Sequence, residues 1–184
     1  MHPLVDSHVH LDSSAFAGDR EAVIARAHQS GIGSMVVPAV DASSWPIIRS
    51  LCAAHAKLHP AYGLHPMFLR RHAPEHVEAL SAWLDDHLAV AVGEIGLDFH
   101  DDRLDRQQQR DYFTQQLQIA RERKLPVIVH ARSALEEVTL TLRRQMDLCG
   151  VVHSFSGSEQ QARQLWDIGF HLGERLRVVA RTVQ

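Results

Sequence analysis

Short apolar runs alternate with longer amphipathic stretches along this chain, and that alternation admits few folds. It is the signature of repeated strand–helix units around a parallel sheet. About seven runs have strand character, at 3–8, 33–39, 60–64, 89–95, 126–131, 150–155 and 169–173. Helix-like segments lie between them near 19–30, 44–58, 75–87, 104–124, 134–146 and 158–168. The clearest is the segment 104–124, where Phe113, Leu117 and Ala120 recur at helical spacing while Gln, Arg and Asp take the other face, as an outer-layer helix requires. Lys124 suits the negative pole of that helix, and Pro126 prevents its continuation. No linker, low-complexity tract or repeat interrupts the pattern, so residues 1–184 are expected to form one domain of the α/β class, a TIM-like (β/α) barrel.

Parallel strands joined by right-handed crossovers bring all their carboxyl ends to one side, where functional groups collect. His8 and His10 fall at the end of the first strand, His65 of the third, Glu94 of the fourth, His130 of the fifth and His153 of the sixth. The His-x-His pair means little alone, since fourteen histidines in 184 residues give about one such pair by chance. Its position says more: strand side chains alternate faces, so His8 and His10 point the same way and can share one cation. His28, His55, His59, His72, His76, His87 and His100 fall on helices or loops and read as solvated or core-edge side chains. Several metal-capable groups converging on one face form a site.

Composition excludes some classes. At 45% hydrophobic and 22% charged the chain is an ordinary globular one, and no apolar run has the length of a membrane span. A net charge of −3 gives no long-range attraction to nucleic acid, so a polyanionic substrate has to be held by local cations or metal. Cys52 and Cys149 are far apart and no signal peptide precedes the first strand, which favours the cytoplasm. Neither a nucleophile elbow nor a Walker motif is present, which argues against a serine hydrolase or a nucleoside triphosphatase.

Five blocks in order, Asp6-Ser7-His8-Val9-His10-Leu11-Asp12, Gly63-Leu64-His65-Pro66, Gly93-Glu94-Ile95-Gly96-Leu97-Asp98, Val127-Ile128-Val129-His130-Ala131-Arg132 and Val152-His153-Ser154-Phe155-Ser156-Gly157, resemble the successive signatures of the TatD-type metal-dependent hydrolases of the amidohydrolase superfamily. The resemblance implies a TIM-like barrel with two divalent metal ions and hydrolysis of DNA phosphodiester bonds by a metal-activated water. It assigns His8, His10 and Glu94 to one ion, with Glu94 bridging to a second held by His130 and His153. Imidazole and carboxylate together leave zinc, manganese and magnesium open.

The resemblance also casts His65 as a substrate-contacting histidine, against the alternative of a plain turn residue beside Pro66. Arg132 lies two residues past His130, on the same face if the strand continues, where its guanidinium can grip a phosphate oxygen or else pair with Glu94 or Asp98. Asp98 and Asp6 are candidates for orienting the site from behind, Asp98 also as a loop or helix cap. Phe16, Phe99 and Phe155 either stack on a base or pack internally. Ser154 and Ser156 read as loop hydroxyls. Past Gly173 no eighth-strand Glu-Thr-Asp-type run follows, and Asp167, on a helical segment, is no substitute. The barrel is therefore expected to be incomplete at its carboxyl end, its last βα units missing, with a short basic helix over 174–181. Its open edge would promote a homo-oligomer through Leu172, Leu176 and Val179. Two readings follow: a hydrolase acting on DNA, or a catalytically impaired metal-binding homologue with a binding or assembly role.

Overall fold

Each apolar run becomes a strand and each amphipathic stretch a helix in the structure, a computed structural model that describes residues 4–145 and 147–174. The strands are β1 (Leu4–Asp6), β2 (Ile32–Pro38), β3 (Leu58–Tyr62), β4 (Ala91–Asp98), β5 (Val127–Arg132), β6 (Gly150–Phe155) and β7 (Phe170–Glu174). Between them run the helices α1 (Arg20–Gln29), α2 (Trp45–Ala54), α3 (Glu75–Asp86), α4 (Arg106–Glu122), α5 (Leu135–Arg143) and α6 (Glu159–Trp166). All seven strands are parallel and pair in sequence order, β1 to β7, the order of a (β/α) barrel. Among the described residues β1 and β7 form the two edges. The expected oligomerising face lies outside the described residues except for Leu172, and so does the expected basic helix except for Glu174, which ends β7.

The main core sits between sheet and helices, with Val37, Ile95, Leu97, Val129 and Val152 of the strands packed near Ile48, Leu80, Phe113 and Leu165 of the helices. A smaller apolar group, Ala61, Ala91 and Ile128 with Val36 and Val151, stands apart from it. All eight residues of β4 are buried, so this strand is covered on both faces and its sequence loses the alternation of a half-exposed strand.

Several boundaries differ from the sequence expectation because side chains and close packing, not apolar pattern, set them. β1 stops at Asp6, whose Oδ1 accepts from the His8 N–H at 3.0 Å and turns the chain out of the sheet. His8 and His10 therefore stand in a loop and not on a strand. β3 stops at Tyr62, and the backbone of Gly63 presses on β4 so closely that a Cβ there would lie 2.8 Å from the Gly93 carbonyl carbon. His65 caps a short 3-10 turn, Pro66–Arg71, and does not end a strand.

A second short turn, Ala42–Ser44, leads into α2 and rests on buried Asp41. Burial opposes ionisation of this carboxyl, but hydrogen bonds from Ser43, Arg71 and the Ser44 N–H outweigh it and hold the pKa below the usual value. Asp41→Ala should cost about 1–2 kcal/mol at neutral pH. With the folded pKa below the unfolded one, that contribution is complete above pH about 4 and is lost as pH falls through the folded value. Urea midpoints of the two proteins should therefore differ at pH 7 and converge below pH 4; a gap that ignores pH would contradict this role.

Candidate metal centre

Glu94, in the middle of β4 and 1% exposed, is the hub of the carboxyl-end cleft. Its Oε2 lies 3.2 Å from His8 Nε2, 3.5 Å from His10 Nε2 and 3.3 Å from His65 Nε2, while its Oε1 lies 3.2 Å from His130 Nδ1. Burial alone would raise its pKa, but the imidazoles, His65 foremost, hold it well below the carboxylate range. The cleft around it encloses about 710 Å³ and is also lined by Met67, Arg132, His153, Ser154 and Ser156.

Backbone links between loops position these groups. The Val9 N–H donates to Val36, that of His65 to Val40 and that of Glu94 to Ala39, which ties the first and third loops and β4 to the end of β2. His130 and His153 are register partners on β5 and β6.

The histidines differ in what they can do. The Met67 N–H donates to His65 Nδ1 at 3.0 Å, so the proton of this ring resides on Nε2, which faces Glu94. Burial pushes the pKa of this ring down against the pull of Glu94. His65 is thus a hydrogen-bond donor into the cleft and has no free lone pair there for a metal. His130 is held at both nitrogens by carboxylates, Nδ1 by Glu94 and Nε2 by Asp98 Oδ2 at 2.9 Å. Burial disfavours its protonation, yet the bonds to Asp98 and Glu94 push its pKa up to about 9. His153 stacks on His8 with ring centroids 3.5 Å apart, and its Nε2 meets the Ser154 hydroxyl at 2.7 Å. Burial and then the neighbouring His8 push its pKa down to about 4.

The chemistry of the donors fits a divalent cation. His8 Nε2, His10 Nε2 and a Glu94 oxygen all lie within 4.8 Å of one another, and two imidazoles with a carboxylate are the ligand types of zinc and related metals. The two Nε2 atoms approach to 3.0 Å with only one proton able to sit between them. His65, Glu94 and His130 form a second such group, in which the tautomer makes His65 the donor. His153 belongs to neither group.

The remaining candidates divide. Asp98 holds both expected roles, orienting His130 and accepting the His100 N–H at 3.0 Å. Asp6 fixes the His8 backbone. Arg132 ends β5 exposed at the rim and, among the described residues, makes no ion pair with Glu94 or Asp98. Phe99 and Phe155 pack against the core in part, and Arg106 and Arg110 lie over the Phe99 ring at 5.0 and 5.3 Å from its centroid. Phe16 is half-buried in a 3-10 turn.

Sequence reasoning missed the groups that brace the loops. Gln109 and Gln116 lie on the buried face of α4, contrary to the expectation that its glutamines face solvent. His72 Nε2 lies 2.8 Å from the His65 carbonyl, and the Trp45 indole donates to that of Gly63 at 3.2 Å. The one sequence signal was spacing, since Gln109 and Gln116 fall on the same helical stripe as Phe113 and Ala120.

The family model described as TatD related DNase matches residues 5–181. The uncharacterized metal-dependent hydrolase YjjV of Escherichia coli is 38% identical over 172 residues, which cover 92% of this chain and 66% of that protein. The 3′-5′ ssDNA/RNA exonuclease TatD of Salmonella typhimurium is 32% identical over 172 residues, with 92% of this chain and 66% of the relative covered. The crystal structure of the YjjV TatD homologue superposes with a TM-score of 0.87 at 36% identity, covering 92% of this chain and 66% of that one. The chain thus spans about two thirds of the length of the curated relatives it matches.

Proposed function

The chain belongs to the TatD-related DNase family, and from that premise we propose that it is a divalent-metal-dependent hydrolase cleaving phosphodiester bonds of single-stranded DNA. One hydrolase domain spans residues 1–184 in this reading. The observation that carries it is the gathering of four imidazoles around one buried carboxylate in an open cleft at the strands' carboxyl ends. His8, His10 and Glu94 would hold one ion, and Glu94, His130 and His153 a second. Such ions, when bound, neutralise charge on phosphoryl oxygens and acidify water, so that no side-chain nucleophile is needed.

The chain's own residues supply orientation. His65 donates its Nε2–H to a phosphate oxygen once substrate draws it from Glu94. Arg132, exposed at the rim and free of Glu94 and Asp98, grips a second phosphate oxygen through its planar fork. Asp98 keeps the His130 ring in place through Nε2. The free thiols of Cys52 and Cys149 accord with a reducing compartment, the cytoplasm.

Single-stranded DNA labelled at its 5′ end, incubated with the chain and manganese, magnesium or zinc, tests the reading. Stepwise shortening from the 3′ end, abolished by chelator, is expected. Cleavage no faster than that of His130→Ala would leave the alternative, a metal-binding homologue without catalysis. Parallel RNA and carboxylic-ester substrates show which ester is preferred. Arg132→Ala should raise KM for DNA about tenfold, or 1.4 kcal/mol, while sparing kcat, and should flatten the salt dependence of KM; an unchanged KM would remove Arg132 from the substrate path.

A further inference from the structure

Helix α4 buries two glutamines seven residues apart, Gln109 at 1% and Gln116 at 0% exposure. Seven residues make two turns, so both side chains face the sheet. A buried carboxamide that leaves its donors or acceptor unmet is costly, and each of these clamps both the N–H and the carbonyl of one residue next to the cleft. Gln109 Oε1 accepts from the Asp98 N–H at 2.8 Å while its Nε2 donates to the Asp98 carbonyl at 2.9 Å. Gln116 Oε1 accepts from the Leu64 N–H at 2.7 Å, and its Nε2 donates to the carbonyls of Leu64 at 3.2 Å and Tyr112 at 3.1 Å.

Both targets lie past the point where β3 and β4 pair, although Asp98 still pairs with Arg132 on its β5 side. β3 pairs with β4 only as far as Tyr62 beside Val92, so Leu64 and Asp98 lie beyond the last pair of that ladder. Both also adjoin the metal centre. The Asp98 carboxylate holds His130 Nε2, and Leu64 precedes His65, the donor that faces Glu94. A single helix thus grips the two sides of the centre at points about 10 Å apart along its axis.

We infer that Gln109 and Gln116 are positioning residues, the first acting on the metal side through Asp98 and His130, the second on the substrate side through His65. The assignment of sides rests on the proposed hydrolase reading. Because the two clamps are alike in chemistry and burial, a merely structural role predicts like consequences for both. A positioning role predicts that they separate.

Gln109→Met and Gln116→Met keep side-chain length and apolar volume while removing the clamp. Calorimetric titration of the metal-free chain with manganese should show a Kd weakened tenfold or more in Gln109→Met, the usual consequence of losing the support behind a ligating histidine. In Gln116→Met the Kd should stay within about twofold while KM for single-stranded DNA rises tenfold. Gln118→Met, on the exposed face and bonded, among the described residues, only to Glu122, is the control for the helix itself. Equal manganese affinity in Gln109→Met and the unmodified chain, or equal losses in both variants, overturns the inference. If a variant does not fold, amide exchange in the unmodified chain decides. The Leu64 and Asp98 amides, both past the β3–β4 ladder, should be protected like the amides in the middle of β4, and exchange at the rate of open loops overturns the clamps. A chain that binds no manganese defeats the hydrolase reading instead, and exchange then judges the clamps alone.

Discussion

Glu94→Gln should lose manganese binding and about a thousandfold in rate, the scale on which removal of a preorganised charge-stabilising group is felt. The substitution preserves shape, so its effect is one of charge and hydrogen-bond direction. Four imidazoles face this one carboxylate, His130 at Oε1 and His8, His10 and His65 at Oε2. An amide has one acceptor. If its oxygen serves His130, its NH₂ faces the Nε2–H of His65, donor against donor, and His8 and His10 lose the anion that completes their group. Thermal denaturation separates this from a folding defect. At one hundred times Kd a ligand stabilises by about 2.7 kcal/mol, a Tm rise of roughly 5–10 °C for a chain of this size. That manganese-induced rise should vanish in Glu94→Gln whatever the substitution does to the metal-free Tm, which the unpaired buried groups will lower. A variant that kept the manganese-induced rise would move the metal site away from Glu94.

The gathering of His8, His10, His65, Glu94, His130 and His153 in one cleft was legible in the sequence because a parallel sheet turns strand order into spatial convergence. β6 was legible to the residue, since Gly150 opens on the apolar pair Val151-Val152 and the Ser156-Gly157 turn follows Phe155. What the sequence hid depends on interactions between segments distant in the chain or between a side chain and the backbone. The end of β1 is set by Asp6 catching the His8 amide, a local bond that hydrophobic pattern does not encode. Whether His65 is ligand or donor depends on one backbone N–H, that of Met67. Gln109 and Gln116 read as surface because they are polar, yet a buried amide is stable wherever a strand leaves backbone groups unpaired, and that vacancy exists only once β3 stops short of β4.

Gly96→Ala should be the most destabilising single-methyl change at the site, because the backbone there serves two ends at once. Gly96 sits between Glu94 and Asp98 on β4, opposite His130 on β5, with φ +138°, a conformation that side chains rarely adopt. A Cβ would lie 2.1 Å from the His130 carbonyl oxygen, so either β4 or β5 must move. Both strands are buried at this level, with Ile95 and Val129 at 0% exposure, and neither can yield cheaply. The expected cost is about 3 kcal/mol, or a Tm lower by roughly 6–12 °C. Gly18→Ala supplies the contrast, since a Cβ there meets nothing within 4 Å, and its Tm should stay within a degree or two. The two strands that Gly96 lets approach carry Glu94 and Asp98 on one side and His130 on the other. Whatever fraction of Gly96→Ala remains folded should therefore bind manganese more weakly than the unmodified chain. A folded Gly96→Ala with native affinity would mean that the separation of β4 and β5 does not set the geometry of the centre.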